Sequence, residues 1–194
     1  MSEIGMILAS YLIGSIPFGL LISKVLGADP RLAGSGNIGA TNVLRVVGKK
    51  AAVLTFIFDT LKGLVPIFSA GLLELREQAI FFVALAVILG HIFPIFLKFK
   101  GGKGVATSFG AFLALTPKIA LLALVLWMMG IYFGKYSSIG ALIAFGALPF
   151  LAFLLKPEPG FVLLASVVSI LVYIRHWENI HRLIKGTEGQ AQRP

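Results

Sequence analysis

An all-α polytopic membrane protein is the architecture this chain predicts, with about seven transmembrane helices, the N-terminus outside and the C-terminus cytoplasmic. Three observations lead there. Of the 194 residues, 58% are hydrophobic and only 13% charged, where a soluble domain carries about 25% charged residues. Apolar runs of membrane-crossing length recur along nearly the whole chain. Lysine and arginine gather in alternate loops, the pattern that marks the cytoplasmic side.

The first run covers residues 4–26 and contains Gly14 and Pro17, interruptions that a membrane helix tolerates. Met1, Ser2 and Glu3 ahead of it include no basic residue. It is therefore expected as a membrane helix and not as a cleaved signal. A polar segment, 29–50, separates it from a second run at 51–73, which carries Asp59 and Lys62. After a short acidic loop, a third run spans 79–97. The fourth, 105–115, is short of the roughly 20 residues a straight span needs. It is still counted as a span, because Pro117 and Lys118 make a turn before the next run. The fifth, sixth and seventh runs cover 119–133, 137–155 and 161–174. Gly130 and Gly134 offer a helix-packing face in the fifth. The tail from Arg175 is polar, with Ile180, Leu183 and Ile184 at amphipathic spacing.

Charge fixes the expected orientation. With seven spans and an outside N-terminus, the inner face receives Lys24, Arg31, Arg45, Lys49, Lys50, Lys98, Lys100, Lys103, Lys135, Arg175, Arg182, Lys185 and Arg193. The outer face receives only Arg76, Lys118 and Lys156. No stretch between runs is long enough for a separate soluble domain, so residues 1–194 are expected to form one integral membrane domain.

Composition also excludes function classes. The chain has no cysteine, which removes disulfides and thiol-based metal or redox chemistry. The net charge of +9 follows from positive-inside loops and not from a nucleic-acid face, so no nucleic-acid partner is expected. The histidines are scattered and acidic residues sparse, so no metal site and no cofactor are expected. Residues 34–39 spell G-x-G-x-x-G, but a membrane helix precedes them where a dinucleotide fold needs a strand. Lys103 is followed by Gly104, where a nucleotide-hydrolysing P-loop needs Ser or Thr.

What remains is chemistry suited to phosphate. Ser35, Asn37, Thr41 and Asn42 crowd many small donors among glycines, and Arg45 adds a fork matched to phosphate oxygens. The plain alternative is a solvated loop with a helix cap at Thr41 or Asn42. Lys100-Gly101-Gly102-Lys103-Gly104 opens the fourth run. A lysine beside a helix N-terminus suits an anion, whereas Lys98 and Lys100 fit as helix-end anchors. His91, taken alone, reads as a packed or hydrogen-bonded histidine. His176 lies beside Arg175, Glu178, Asn179 and Arg182, either an anion site or the solvated face of an amphipathic helix. Asp59 and Lys62 share a helix face and can neutralise each other, in a role supporting the loops above them.

These motifs together resemble the bacterial acyl-phosphate:glycerol-3-phosphate acyltransferases, the PlsY family. The resemblance rests on Ser35-Gly36-Asn37-Ile38-Gly39-Ala40-Thr41-Asn42, on Gly90-His91-Ile92-Phe93-Pro94 through Lys103-Gly104-Val105-Ala106-Thr107, and on Arg175-His176-Trp177-Glu178-Asn179-Ile180 through Gly186-Thr187-Glu188. Asp59-Thr60-Leu61-Lys62-Gly63 also looks like a family element, and Trp177 stands where the family implies an arginine. The resemblance implies transfer of a fatty acyl group from acyl phosphate to the sn-1 hydroxyl of glycerol 3-phosphate, in the bacterial inner membrane, with the active site facing the cytoplasm. The implied partners are acyl phosphate, glycerol 3-phosphate and membrane lipid. His91 has Phe96 at the fifth position, so the His-x-x-x-x-Asp dyad common in soluble-type glycerolipid acyltransferases is absent. Catalysis is then expected from positioning and charge. Ser35, Lys103, His176 and Asn179 are the expected catalytic residues. Asn37, Thr41, Asn42, Arg45, Gly101, Gly102, Gly104 and Arg182 would bind phosphate, and Asp59, Lys62 and His91 would support them. The base is either His176 or a substrate phosphate oxygen. The alternative function is a transporter or flippase for a phosphorylated solute or lipid, which intramembrane Asp59 and Lys62 would also suit.

Overall fold

The computed structural model describes residues 2–190; Met1 and Arg193, used above, lie outside them. Among the described residues there are helices and no strands. In order they are α1 (Glu3–Gly14), α2 (Phe18–Val25), α3 (Ala40–Val46), α4 (Lys49–Leu72), α5 (Glu77–Ile92), a 3₁₀ turn (Ile95–Leu97), α6 (Val105–Leu115), α7 (Pro117–Gly134), α8 (Ser137–Leu155), α9 (Pro159–Arg175) and α10 (Trp177–Ile184). Five membrane-length apolar spans are present among them, or six if the bent pair α9–α10 counts as one. The chain divides into two compact units, Met1–Leu115 and Thr116–Pro194.

In the first unit, the run expected at 4–26 is broken into α1 and α2. Pro17 stands at the break and has no N–H to continue the ladder. The break leaves the Ile16 carbonyl at hand, and Lys62 of α4 reaches it, Nζ to O, at 2.8 Å. The same ammonium lies 2.7 Å from Asp59 Oδ1 and 5.6 Å from the centre of the Phe18 ring. Lys62 and Asp59 are both buried. A cation in hydrocarbon has no water to satisfy it, so the carboxylate, the carbonyl and the ring take water's place.

Helix α6 has 11 residues, about 16 Å of helix against a hydrocarbon core of about 30 Å. The short fourth run is therefore a helix with the expected bounds but not, by itself, a straight span. It is sheathed by protein: Thr107, Ser108, Phe109, Gly110, Ala111 and Phe112 are all buried. Its partner is α4, and the two backbones nearly touch. A Cβ on Gly63 would sit 2.1 Å from the Thr107 carbonyl oxygen, and one on Gly110 would sit 1.9 Å from that of Thr60. Small residues facing each other let the helices gain dispersion contact where lipid gives no hydrophobic drive.

In the second unit, α7, α8 and α9 pack in sequence. A Cβ on Gly130 would lie 2.6 Å from the Gly140 Cα, so the packing face expected in the fifth run is the α7–α8 seam. Helix α9 starts at Pro159, a residue favoured in the first turn because that turn has N–H groups to spare. It bends by 54° into α10, the amphipathic helix expected in the tail.

Removing the Lys62 ammonium leaves the Asp59 charge buried without its cation. Lys62→Ala is expected to destabilise the protein by about 3–5 kcal/mol, read as lost melting temperature in detergent. Asp59→Leu combined with Lys62→Leu is expected to cost less than Lys62→Ala alone.

Candidate active site

Each unit carries part of the polar machinery. In the first unit, loop 26–39 is built around Asn42. This side chain is 2% exposed. Its Oδ1 accepts the Ser35 N–H at 2.8 Å, and its Nδ2 donates to the carbonyls of Pro30, Ala33 and Asn37 at 2.7, 3.2 and 2.8 Å. Asn42, expected among the phosphate-binding residues, thus makes its side-chain bonds to the loop. It is also not the cap of α3, since Gly39 holds the N-cap position. The result is that Ser35 is presented, exposed, between Gly34 and Gly36, at φ +62° and +70°. That left-handed geometry is cheap for glycine alone. Asn37 Oδ1 accepts the Gly39 N–H at 2.7 Å, which directs the other end of the amide, a donor, away from that bond. Thr41 and Arg45 follow on α3 one turn apart, on one face. Arg31 is tied to Asp29 at 2.6 Å, and that hydrogen-bonded guanidinium holds the Asp29 carboxyl down to about 2.

The second element is a neck. Gly101 N–H donates to the Ile92 carbonyl and Gly102 N–H to the His91 carbonyl, both at 3.1 Å. A Cβ on Gly101 would lie 2.2 Å from the His91 carbonyl oxygen, and one on Gly102 would lie 2.1 Å from the His91 ring at Nε2. These glycines are required for fit. Their amides, expected to cradle phosphate, donate within the neck. His91 is buried, with Nδ1 3.0 Å from Thr107 Oγ1 of α6 and 3.7 Å from Asp59 Oδ1. The supporting trio Asp59, Lys62 and His91 is therefore one connected cluster beneath Gly102. Lys103 emerges directly from the neck. Gly104 follows at φ +84° and its carbonyl receives the Ser108 N–H, the first turn of α6. Lys103 is thus placed next to a helix N-terminus, where an anion is favoured.

In the second unit, His176 sits at the α9–α10 bend and is buried. Its Nδ1 is 2.8 Å from the Val172 carbonyl oxygen. A carbonyl only accepts, so Nδ1 carries a proton and donates, which leaves Nε2 as the position where the ring gains or loses its other proton. One turn on, Asn179 Nδ2 donates to Glu188 Oε1 at 2.6 Å, and Ser138 Oγ donates to the same oxygen at 3.1 Å. Arg182 Nε donates to Glu188 Oε2 at 2.7 Å, while its Nη1 is 3.7 Å from Glu178. Arg182 is therefore engaged by two carboxylates, and only part of its fork remains for the phosphate role expected of it. Burial works against ionising Glu188, but the hydrogen bonds from Arg182 and Asn179 outweigh it and lower its pKa.

Glu188 was not among the residues expected to act, although it closes the third motif. Its sequence signal was weak: a lone acid nine residues beyond Asn179, past a glycine. The fold reveals it, because Gly186 at φ +67° turns the chain back over α10.

Comparison with known proteins gives the same answer throughout. Residues 4–186 match the family model described as glycerol-3-phosphate acyltransferase. A glycerol-3-phosphate acyltransferase from Geotalea daltonii is 43% identical over 192 residues, covering 99% of each chain. One from Neisseria gonorrhoeae is 46% identical over 195 residues, covering 98% of each. Among solved structures, a crystal structure of PlsY (YgiH), described as an integral membrane glycerol 3-phosphate acyltransferase in its glycerol 3-phosphate form, superimposes with a TM-score of 0.93. It has 38% identity, over 98% of this chain and 96% of that one. The lysophosphatidic acid form matches with a TM-score of 0.91 over 98% and 95%. On sequence and fold together, this chain belongs to the glycerol-3-phosphate acyltransferase family.

Proposed function

We propose that the protein transfers a fatty acyl group from acyl phosphate to the sn-1 hydroxyl of glycerol 3-phosphate, releasing lysophosphatidic acid and inorganic phosphate at the start of phospholipid synthesis. The observation that carries this reading is the family match over residues 4–186, which takes in Ser35, Lys103 and His176 at once.

The chemistry is attack by a hydroxyl oxygen on the carbonyl carbon of a mixed anhydride. The new ester C–O bond forms, the C–O bond to phosphate breaks, and the hydroxyl proton must leave. Lys103 and Arg45 hold phosphate oxygens. Ser35, Asn37 and Thr41 orient the substrate and stabilise the developing oxyanion. His176 and Asn179 are the second unit's contribution to the reaction, with Arg182 and Glu188 holding Asn179 in place. The proton goes to His176 Nε2, which the Val172 bond leaves as the basic nitrogen, or to a substrate phosphate oxygen. A substrate phosphate with a second pKa of about 6 can accept it.

We further propose seven spans in one domain of 194 residues, with the N-terminus outside, the C-terminus cytoplasmic and the active site on the cytoplasmic face of a bacterial inner membrane. The charge asymmetry of the loops supports this orientation. The transporter alternative loses its main motive, since Lys62 is occupied with Asp59 and the Ile16 carbonyl and so closes a helix break.

Four outcomes test this reading. Purified protein should release phosphate from acyl phosphate only when glycerol 3-phosphate is present, and should not accept acyl-CoA or acyl-carrier protein as donors; a transporter would do nothing outside a sealed vesicle. Lys103→Ala should lower kcat/KM by about 10- to 100-fold, the worth of a charge-assisted hydrogen bond, in steady-state assays. His176→Gln should lower kcat by about 10²–10⁴ if His176 is the base and should remove the acid limb of the pH–rate profile. A retained limb assigns the proton to substrate phosphate. Glu188→Gln should lower the melting temperature at neutral pH. Because the folded pKa of Glu188 is depressed, its contribution is present above the unfolded value of about 4.3 and is lost as pH falls through the folded value. The gap between wild type and variant should therefore close in acid.

A further inference from the structure

Residues 93–100 form a closed loop whose apolar side chains face outward. The neck bonds from Gly101 to Ile92 and from Gly102 to His91 shut it at the base. Within it, Leu97 N–H and Phe99 N–H both donate to the Pro94 carbonyl, at 3.1 and 2.9 Å. Lys98 and Phe99 take consecutive left-handed conformations, φ 52° and 63°, a backbone that residues with a Cβ adopt at a cost. Tethers to α1 hold the loop from the side: Tyr11 Oη–H donates to the Phe93 carbonyl at 2.7 Å, and Ile95 N–H to Ser15 Oγ at 3.4 Å. The fold thus spends conformational strain and hydrogen bonds on keeping Ile95, Phe96 and Phe99 at 48%, 61% and 57% exposure, next to exposed Lys98 and Lys100.

We propose that this loop is a membrane-docking knuckle, with Phe96 and Phe99 inserted at the acyl-headgroup boundary and Lys98 and Lys100 on anionic lipid headgroups. Its place in the fold selects lipid as the occupant. Helix α5, Glu77–Ile92, has 16 residues, about 24 Å against a hydrocarbon core of about 30 Å, so the loop that caps it lies near the edge of that core. Aromatic rings prefer that depth, and lysines extend from it to the phosphates. Two exposed cations on one short loop complement an anionic leaflet. The loop is continuous through the neck with Lys103, so the grip on the bilayer sets the depth at which Lys103 is held. This inference needs only a bilayer-spanning fold and does not depend on which reaction the site performs.

The test uses the full chain in mixed phosphatidylcholine–phosphatidylglycerol vesicles. Phe96→Trp and Phe99→Trp are made separately, each with Trp127→Phe and Trp177→Phe, so that one indole reports. Lipids brominated in the upper acyl chain should quench either probe by about two-fold or more, and aqueous acrylamide should quench it weakly. Spin-labelled phosphatidylglycerol should quench more than spin-labelled phosphatidylcholine, by about two-fold, and Lys98→Gln with Lys100→Gln should abolish that preference. Quenching by acrylamide and not by brominated lipid would make the loop solvent-facing and overturn the proposal. Protection from both quenchers would mean that a second copy or another protein covers it, and would overturn it equally. Should Trp127→Phe fail to fold, Trp127 is retained and its emission subtracted using the variant without a new indole.

Discussion

The Lys62 ammonium is buried among apolar helices, and the first unit is arranged around satisfying it. Asp59 neutralises it from one turn away on α4. The Ile16 carbonyl, exposed by the break at Pro17, accepts from it and ties α4 to the α1–α2 junction. Asp59 in turn lies near His91 of α5, and His91 bonds Thr107 of α6. One buried charge therefore links α1, α4, α5 and α6. The same His91 ring is the surface on which Gly102 rests, so the cluster fixes the neck from which Lys103 projects. A buried pair of this kind is weak evidence for stability, because desolvation offsets attraction. Its value here is geometric: it determines where the loops start.

The second unit solves a related problem with an acid as the organiser. Glu188 collects donors from Asn179, Arg182 and Ser138 and so sets the orientation of α10 relative to the start of α8. The bend at His176 gives that histidine a carbonyl partner at Nδ1, to which the ring donates. A histidine held in this way has the form of a base although the chain has no His-x-x-x-x-Asp motif. Across both units the polar side chains fall into two kinds. Asn42, Glu188 and the Asp59–Lys62–His91 cluster shape the loops. Ser35, Lys103 and His176 are the residues we propose act on the phosphorylated and acylated substrates.

Much of this was legible in the sequence, for physical reasons. Apolar runs and their breaks show helices directly, because lipid forces every backbone group into internal bonds; hence α4, α7 and α8 were found within a few residues, and the amphipathic α10 was read from Ile180, Leu183 and Ile184. The family was legible because its motifs are dense in residues that apolar helices otherwise avoid. What could not be read was the direction in which each polar group spends its bonds. Asn42 and Asn37 look alike as donors in a loop, yet one is buried with four partners and the other is half-buried. Gly101 and Gly102 resemble an anion cradle, but their amides close a neck, a fact set by the distance between His91 and the chain ten residues later. Glu188 acts across a turn that only the backbone of Gly186 reveals.

The central claim is that the glycerol hydroxyl attacks the acyl carbonyl, with phosphate as the leaving group held by cations. Oxygen labelling reads this directly. With ¹⁸O in the sn-1 hydroxyl of glycerol 3-phosphate, the account predicts that mass spectrometry finds the label in the ester linkage of lysophosphatidic acid and none in the released phosphate. Attack at phosphorus would instead expel free fatty acid and leave the label in a glycerol bisphosphate. Labelled inorganic phosphate with an unlabelled ester would mean that the expelled carboxylate then displaced that phosphate from carbon 1. Either result would contradict the account.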